Sequence, residues 1–365
     1  MFDALNLHPT AFGLDVSDLS LKIAFLQRKG KALRLRSYGE FPIPLGIVER
    51  GEVKQEAALA EVIKQSVAQF GKELPTRYVV ASLPEEQAFL QVIQLPRMGE
   101  EELRAAVRFE AENYIPYALD TVYLDFQVVP PLSSNLDHMD VLLAALPKTM
   151  VDPYVAVLEK AGLIPKALEI ESLSVSRSLV PQELAPTPVL LVDFGATRTS
   201  FVVFAGYSLR FTVSIPVSSL QLTESIARTL QVGLNEAEVM KVNYGLERQD
   251  DATGKLVFEA LVPPLSDLVE QIKRHIEYYE SHSSHQHLNA TSQGISRIVV
   301  SGGGANLRGF SSFLASELQR EVVFGNPWVN IVETSLKDLP PVPFGESVKY
   351  AAALGLALRG LQNHD

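Results

Sequence analysis

A strand–turn–strand unit occurs twice in the chain, and each copy carries an aspartate where the first strand meets the turn. Residues 189–204 read VLLVDFGATRTSFVVF, and residues 12–26 read FGLDVSDLSLKIAFL. Aligning Asp15 with Asp193 superposes strand on strand and turn on turn without a gap. The apolar runs beside both turns are typical of buried strands. A repeat of this length is too long for a solenoid and indicates two related domains that offer aspartate-bearing turns to a shared cleft.

The turn of the second copy has residues suited to phosphate binding. Gly195 lets the backbone turn sharply and present its N–H groups, and Thr197 and Thr199 add hydroxyl donors. Asp193 lies where a hydrated Mg²⁺ would need a carboxylate. Many hairpins contain these residue types, so this stretch alone is better explained as a structural β-turn. The first copy is what favours a binding site.

Composition restricts the function classes. The chain has 365 residues, more than one hydrophobic core usually fills, so two or more domains are expected. The absence of cysteine excludes disulfides, thiol catalysis and cysteine-bound metals, and suits the cytoplasm. A net charge of −11 argues against nucleic-acid binding. The sequence has no signal-peptide pattern and no apolar run of membrane-spanning length, so we expect a cytoplasmic α/β protein.

The chain divides into two halves and an insertion. We expect residues 1–82 and 165–186 to form the first half, 83–164 to form a small inserted subdomain, and 187–365 to form the second half. The proline-rich stretch 181–188 is the expected hinge between the halves.

A glycine-rich strand end lies in the second half. Residues 297–301 are predicted to form a strand that leads through Gly302–Gly304 to a helix beginning at Phe310. Glycines there let a planar ring or a phosphate approach the backbone, and a following helix N-terminus favours an anion. Upstream we expect a loop at residues 250–255 and a helix capped by Ser266.

These three stretches, in this order, resemble the phosphate and adenosine loops of the actin-like ATPase superfamily. Within it the chain is similar to the PilM family of type IV pilus assembly proteins, relatives of FtsA, over nearly its whole length. The motifs that carry the resemblance are Ile93–Met98, Glu110–Tyr117, Ala161–Pro165, Gln271–Tyr279 and the glycine loop through Leu307. The resemblance implies an α/β, actin-like two-domain fold with duplicated ribonuclease H-like cores and an FtsA/PilM-type inserted α+β subdomain.

The resemblance also implies that ATP with Mg²⁺ lies in the cleft. Asp15 and Asp193 would hold the metal through its bound water. The residues that would bind the nucleotide are Asp15, Ser17, Lys22, Asp193, Gly195, Ala196, Thr197, Thr199, Glu238, Lys241, Gly302, Gly303, Gly304 and Asn306.

Three of the implied roles have structural alternatives. Glu238 and Lys241 match the family's ribose and adenine contacts, but without the family a surface pair three residues apart explains them better. Glu171 matches the water-orienting carboxylate of DnaK-type chaperones and would be the catalytic residue of ATP hydrolysis. A glutamate favoured by the dipole at a helix N-terminus explains it equally well.

The first turn departs from the family pattern. Ser17 replaces a glycine, and the carboxylate of Asp18 falls where phosphate oxygens are expected. Two anions a few ångströms apart in a partly dry cleft repel by roughly several kcal/mol unless a cation bridges them. We therefore expect nucleotide binding to be weakened or lost, and any ATPase activity to be slow.

The resemblance implies a cytoplasmic scaffold of the type IV pilus inner-membrane complex that binds the N-terminal cytoplasmic tail of PilN. In the family that tail lies in a groove between the inserted subdomain and the first-half core. The protein would reach motor components and the inner membrane only through partners, and a homo-oligomer is compatible with the sequence. A kinase of the sugar or acetate type and an FtsA-like filament protein are the alternatives. The C-terminus, without an amphipathic helix after a linker, favours PilM over FtsA, and a type II secretion GspL protein would continue into a membrane span.

Overall fold

The computed structural model describes residues 9–30, 32–132, 137–247, 251–282, 294–332 and 341–362. The chain separates into two compact units. The first comprises Met1–Glu183, Pro327–Pro343 and Tyr350–Asp365, and the second comprises Leu184–Asn326 and Phe344–Lys349.

The described elements are mixed strands and helices. The strands, in chain order, are β1 (Phe12–Val16), β2 (Ser20–Lys29), β3 (Ala32–Pro42), β4 (Val48–Glu49), β5 (Glu52–Val53), β6 (Tyr78–Leu83), β7 (Phe89–Pro96), β8 (Val122–Val129), β9 (His138–Pro147), β10 (Ile164–Ile170), β11 (Ala185–Phe194), β12 (Thr199–Gly206), β13 (Ser208–Ile215), β14 (Arg297–Ser301) and β15 (Val322–Phe324). The helices are α1 (Glu56–Ala68), α2 (Glu100–Tyr114), α3 (Lys148–Lys160), α4 (Glu171–Leu179), α5 (Ser219–Leu230), α6 (Leu234–Tyr244), α7 (Ala252–His282), α8 (Phe310–Leu318), α9 (Phe344–Ser347) and α10 (Ala351–Gly360).

A five-stranded sheet of order β10-β6-β1-β2-β3 is the centre of the first unit. Its buried face packs with α1 and α3 in one apolar core. Helix α10 packs against β1, β2 and α4. The approach of α10 to α4 requires Gly355, because a Cβ there would lie 1.8 Å from the carbonyl oxygen of Ser174.

The segment between β6 and β10 forms a second sheet in the first unit. Its strands are antiparallel in the order β7-β9-β8. Helix α2 covers one face of this sheet. The buried apolar residues between them include Ile93, Leu103, Val107, Val141 and Leu143. Because β9 lies in the middle, β7 and β8 are the edge strands.

The second unit repeats the sheet of the first. Its strands have the order β13-β12-β11-β14-β15. In both units a central strand is antiparallel to the strand that follows it and parallel to a strand from later in the chain: β1 pairs with β2 and β6, and β11 pairs with β12 and β14. The aspartate of each repeat lies at the end of that central strand. This topology is the duplication that the sequence predicts.

One predicted boundary is wrong. Helix α7 begins at Ala252, where a loop at residues 250–255 was expected, and residue 250 lies outside the described residues. It continues through Pro263 and Pro264, whereas the sequence predicts a helix that starts at Ser266. The apolar side chains at positions 257, 261, 265, 268, 272 and 276 form one buried stripe across the prolines. This stripe holds the helix together where the prolines remove N–H donors.

The predicted halves follow the sequence repeat of the two aspartate turns, whereas the two compact units follow the contacts between residues in the structure. The contacts place α10 in the first unit, although it lies within the predicted second half. The boundaries at 82, 164 and 186 stay a prediction. Within the described residues, no helix is both long and apolar enough to cross a bilayer.

Candidate functional site

The second aspartate turn, in the second unit, is held by hydrogen bonds at both ends. Asp193 lies beside Ser301 in the parallel pairing of β11 with β14, and its Oδ1 accepts a hydrogen bond of 2.8 Å from the Ser301 hydroxyl. The N–H of Gly195 donates to the carbonyl of Arg198 at 2.9 Å. Thr199 is buried and its hydroxyl donates to the carbonyl of Val217 at 2.6 Å. The Thr199 hydroxyl therefore fixes the turn, whereas Thr197 and Ala196 are more accessible.

The same turn caps helix α5. The carbonyls of Gly195 and Ala196 accept hydrogen bonds from the N–H groups of Ser219 and Leu220, each at 3.0 Å. These are the first two N–H groups of the helix, which otherwise lack partners. The turn and the helix N-terminus thus form one hydrogen-bonded unit.

Lys241 on α6 is buried and linked to this unit. Its Nζ donates to the carbonyl and hydroxyl of Ser219 at 3.0 and 2.8 Å and to the Thr223 hydroxyl at 2.8 Å, and it pairs with Glu238 at 2.7 Å. Burial lowers the pKa of the Lys241 ammonium, and the pair with Glu238 opposes this only in part. Glu238 and Lys241 thus form the ion pair expected from their spacing of three residues. It is not an ordinary surface pair, because Lys241 is buried and only Glu238 is half exposed.

The three glycines after β14 have different environments. A Cβ on Gly302, whose φ is +85°, would lie 2.5 Å from the carbonyl oxygen of Phe194, and one on Gly304 would lie 2.7 Å from the Phe194 ring. Gly303 is exposed, and none of the described atoms lies within 4 Å of its hypothetical Cβ. Asn306 is also exposed. Gly302 and Gly304 are therefore needed for packing on Phe194, whereas Gly303 and Asn306 present an open surface.

The first aspartate turn, in the first unit, leaves one buried oxygen unsatisfied. Asp15 is 4% exposed, and Lys22, its partner across β1 and β2, places Nζ 3.8 Å from Oδ2. Asp15 Oδ1 has no hydrogen-bond partner within the described residues. Ser17 closes the turn through its hydroxyl and its N–H, which both donate to the carbonyl of Ser20 at 2.9 Å. A buried carboxylate oxygen without a donor is suited to a ligand or to water bound to a metal.

Asp18 has a structural role that the sequence did not reveal. It is 8% exposed, and its Oδ1 accepts a hydrogen bond of 2.9 Å from the N–H of Gly51. The carbonyl of the same glycine accepts a hydrogen bond of 2.8 Å from the hydroxyl of Tyr154 on α3. Gly51 thus connects the first turn to α3.

Glu171 occupies the predicted position immediately after β10. It is the first residue of α4, and its carbonyl accepts a hydrogen bond of 2.7 Å from the Ser174 hydroxyl. This placement fits both interpretations of Glu171, as a carboxylate that orients water and as a glutamate favoured by the helix dipole.

A groove of about 560 Å³ lies within the first unit, between the β7-β9-β8 sheet and the central sheet. Its walls come from β8, β10, α3 and α4, and its floor includes apolar side chains. The apolar residues that line it include Leu142, Ala144, Leu146, Val151, Val155 and Leu173.

A buried ion pair, Glu169 with Arg177, is part of the groove lining. Arg177 NH2 donates to Glu169 Oε1 at 2.7 Å while NH1 donates to the other carboxylate oxygen, so the pair is bidentate. Arg359 NH1 lies 3.5 Å from Glu169 Oε1. Burial alone would lower the pKa of the Arg177 guanidinium, but the charge and hydrogen bonds of Glu169 outweigh this and raise it.

The aspartates and glycines lie at strand ends, as the sequence predicts. The resemblance implies a groove between the inserted subdomain and the first-half core, but it does not say which residues line the groove. The groove residues come from segments far apart in the chain, so no motif marks them. One available signal was Arg177, a charged residue within a helix whose neighbouring side chains are small or apolar.

Comparison with known proteins agrees with this architecture. A solved structure titled "PilM-PilN type IV pilus biogenesis complex" is similar with a TM-score of 0.79 and 30% identity, and covers 98% of this chain and 100% of that chain. MreB5 of Spiroplasma citri bound to ADP matches with a TM-score of 0.54 at 12% identity over 94% of each chain, a likeness of fold alone.

Among curated sequences, the FtsA cell division protein of Enterococcus hirae is 25% identical over 177 residues, which are 46% of this chain and 40% of FtsA. The chain thus spans less than half the length of this curated relative. The family model described as "Type IV pilus assembly protein PilM" matches residues 13–361. The fold is actin-like, as the sequence predicts, and the chain belongs to the PilM family of type IV pilus assembly proteins.

Proposed function

We propose that the protein is a cytoplasmic scaffold of the type IV pilus inner-membrane assembly complex. It binds the N-terminal cytoplasmic tail of PilN and reaches the membrane and the motor components through its partners. The full-length similarity to a protein solved in a complex with PilN carries this proposal. Nucleic acid is not among the proposed partners, in keeping with the net charge of −11.

The groove of the first unit is the proposed binding site for the tail. It has the volume of a ligand site, since such sites commonly measure about 300–1,000 Å³, and its lining combines apolar side chains with a few charged ones. The buried Glu169–Arg177 pair joins β10 to α4 in the groove lining. A short tail that inserts apolar side chains between β8 and β10 would be recognised there.

The test is calorimetric titration of the full chain with a synthetic peptide of the cognate PilN tail. Ala144 is half-buried on the groove floor, so Ala144→Phe fills the groove and is expected to weaken binding at least roughly ten-fold, a loss of about 1.4 kcal/mol. The matched control is Val242→Phe, on an exposed position of α6 that does not line the groove. Absence of binding to the unsubstituted chain, or equal affinity of both variants, would contradict the proposal.

We also propose that the protein binds ATP through the nucleotide-binding residues that the resemblance implies. The unsatisfied Asp15 Oδ1 supports this, because a buried carboxylate oxygen suits a metal-bound water. Among the described residues no three His, Asp or Glu side chains cluster as metal ligands, so a Mg²⁺ ion would be held mainly through water and phosphate. Such an ion would neutralise phosphate charge, and Glu171 would orient the water of a slow hydrolysis.

The charge of Asp18 is proposed to weaken this binding, and two substitutions separate its charge from its hydrogen bond. Asp18→Asn keeps an oxygen for the Gly51 N–H but removes the charge, so it is expected to tighten Mg-ATP binding at least roughly ten-fold. Asp18→Ala loses both and serves as the comparison. Unchanged affinity in Asp18→Asn, or sub-micromolar affinity in the unsubstituted protein, would show that Asp18 does not oppose the nucleotide.

A further inference from the structure

We propose that the groove holds the partner tail as an added β-strand, hydrogen-bonded to the free edge of β8. The inference rests on the proposed function, because the occupant is the PilN tail. It specifies how the peptide is recognised: through its backbone, with every second side chain directed to the apolar floor.

The pattern of lining residues shows which part of each strand the groove touches. Successive side chains of a strand point to opposite faces, so a cavity over a face touches alternate residues. Strand β9 follows this rule, because Leu142, Ala144 and Leu146 line the groove. Strand β8 does not, because all five residues of 123–127 line it. A run of consecutive residues means that the groove runs along the edge of β8 and meets its backbone.

This edge of β8 is unpaired. In the described part of the chain β9 is the one strand that pairs with β8, which therefore ends the three-stranded sheet. The Tyr123 hydroxyl at the start of β8 donates a hydrogen bond of 2.9 Å to Asp152 on α3, which leaves the backbone edge of the strand open. An edge strand presents N–H and C=O groups that pair readily with another chain, and extended peptides bind many proteins in this way. Five residues of β8 extend over about 14–17 Å, so a strand of about four or five residues fits beside them.

A local hydrogen bond occupies this edge in the free protein. The N–H of Phe126 donates to Oδ1 of the preceding residue, Asp125, at 2.9 Å. Asp125 is exposed and lines the groove. Its carboxylate takes the position that a carbonyl of an incoming strand would occupy, and a peptide displaces it without loss of a bond to β9.

Strand β10 forms the opposite wall and is less suited to pairing. Residues 165–170 of β10 also line the groove consecutively. However, Pro165 has no N–H, and the pairing of β10 with β6 is irregular between Pro165 and Ala167. A proline and an irregular register both hinder the pairing of an edge strand with another chain. The regular edge of β8 is therefore the one that accepts the tail.

The test on the peptide side is a scan of single N-methyl groups along the synthetic PilN tail, with affinity for the full-length protein measured by calorimetry. In strand pairing the N–H groups of alternate residues point to the partner strand. N-methylation at alternate positions over four or five residues is therefore expected to weaken binding roughly ten-fold or more, while the positions between them change it by less than about three-fold. Binding of the unmodified peptide without this alternation overturns the strand model and leaves the proposed function intact. Failure of the unmodified peptide to bind overturns both.

The test on the protein side uses Asp125. Asp125→Ala removes the competing oxygen and is expected to tighten binding of the tail roughly five-fold, the equivalent of one net hydrogen bond. Asp125→Asn keeps an oxygen in place and is the matched control for the loss of charge. If Asp125→Ala binds no more tightly than Asp125→Asn, the edge of β8 is not the pairing surface.

Discussion

Removing Glu169 should destabilise the first unit far more than replacing the whole ion pair. Glu169 and Arg177 are 6% and 8% exposed and form a bidentate pair. Breaking a buried pair by removing one partner typically costs about 3–5 kcal/mol, because it leaves a charge without compensation, whereas apolar replacement of both is often neutral. We therefore expect Glu169→Gln to cost about 3–5 kcal/mol and the double variant Glu169→Leu, Arg177→Met to cost less than about 1 kcal/mol.

The two single variants should also differ from each other. Glu169→Gln leaves the Arg177 guanidinium, which cannot lose its proton, near the second positive charge of Arg359. The carboxylate of Glu183 lies 3.8 Å from Arg177 Nε, but this side chain is nearly half exposed and compensates the buried charge only weakly. Arg177→Met leaves the Glu169 carboxylate 3.5 Å from Arg359, so part of its charge remains paired. The loss in Arg177→Met is therefore expected to be the smaller of the two.

Urea unfolding of the unsubstituted protein, the two single variants and the double variant measures these differences in unfolding free energy. At about 2–4 °C per kcal/mol for a unit of this size, Glu169→Gln should lower the melting temperature by roughly 6–20 °C. A cost below about 1 kcal/mol for Glu169→Gln, or a double variant as unstable as that single variant, would refute the reasoning. Either result would mean that the Glu183 carboxylate, the Gly355 carbonyl or water already compensates the charge of Arg177.

Two further predictions concern the second unit. The pKa of the Tyr279 hydroxyl is raised from the ordinary 10.0 to about 12, mainly because the side chain is buried. The neutral tyrosine therefore contributes its full stabilisation below pH 10, and the contribution is lost as the pH rises towards 12. Relative to Tyr279→Phe, the wild-type chain should lose about 1.4 kcal/mol of unfolding free energy between pH 9 and pH 11 in urea titrations, and a constant difference would contradict the assigned shift. Gly302→Ala should cost at least about 2 kcal/mol, because its φ is +85° and its Cβ meets Phe194, whereas Gly303→Ala should stay within about 0.5 kcal/mol. Equal melting temperatures for the two glycine variants would show that the strand end relaxes.

The sequence predicted the duplicated sheets because local signals and the global fold agree there. Both copies combine apolar strands with a polar turn at the same spacing, and the aspartates lie at the ends of central strands in both units. Such agreement across levels is what makes an element predictable from one sequence.

Other features depended on contacts between distant segments. The burial of Lys241 could not be predicted, because α6 also carries the exposed apolar side chains of Val239 and Val242 and so lacks a clear buried face. The lysine is internal because Ser219 and Thr223 of α5 supply oxygens to its ammonium group. Likewise, the groove forms only when the edges of β8 and β10 are brought together.

Asp18 shows why a departure from a family motif is not by itself evidence of lost activity. From the sequence, a carboxylate in place of a small residue implies repulsion of phosphate. In the structure the same carboxylate accepts the N–H of Gly51, whose carbonyl binds Tyr154 on α3. A hydrogen bond to a charged group contributes about 1.5–3 kcal/mol, so the residue has a structural reason to be present whether or not a nucleotide binds. Because α3 also forms a wall of the groove, the departure of the first turn is explained as readily by support of this wall as by loss of the nucleotide.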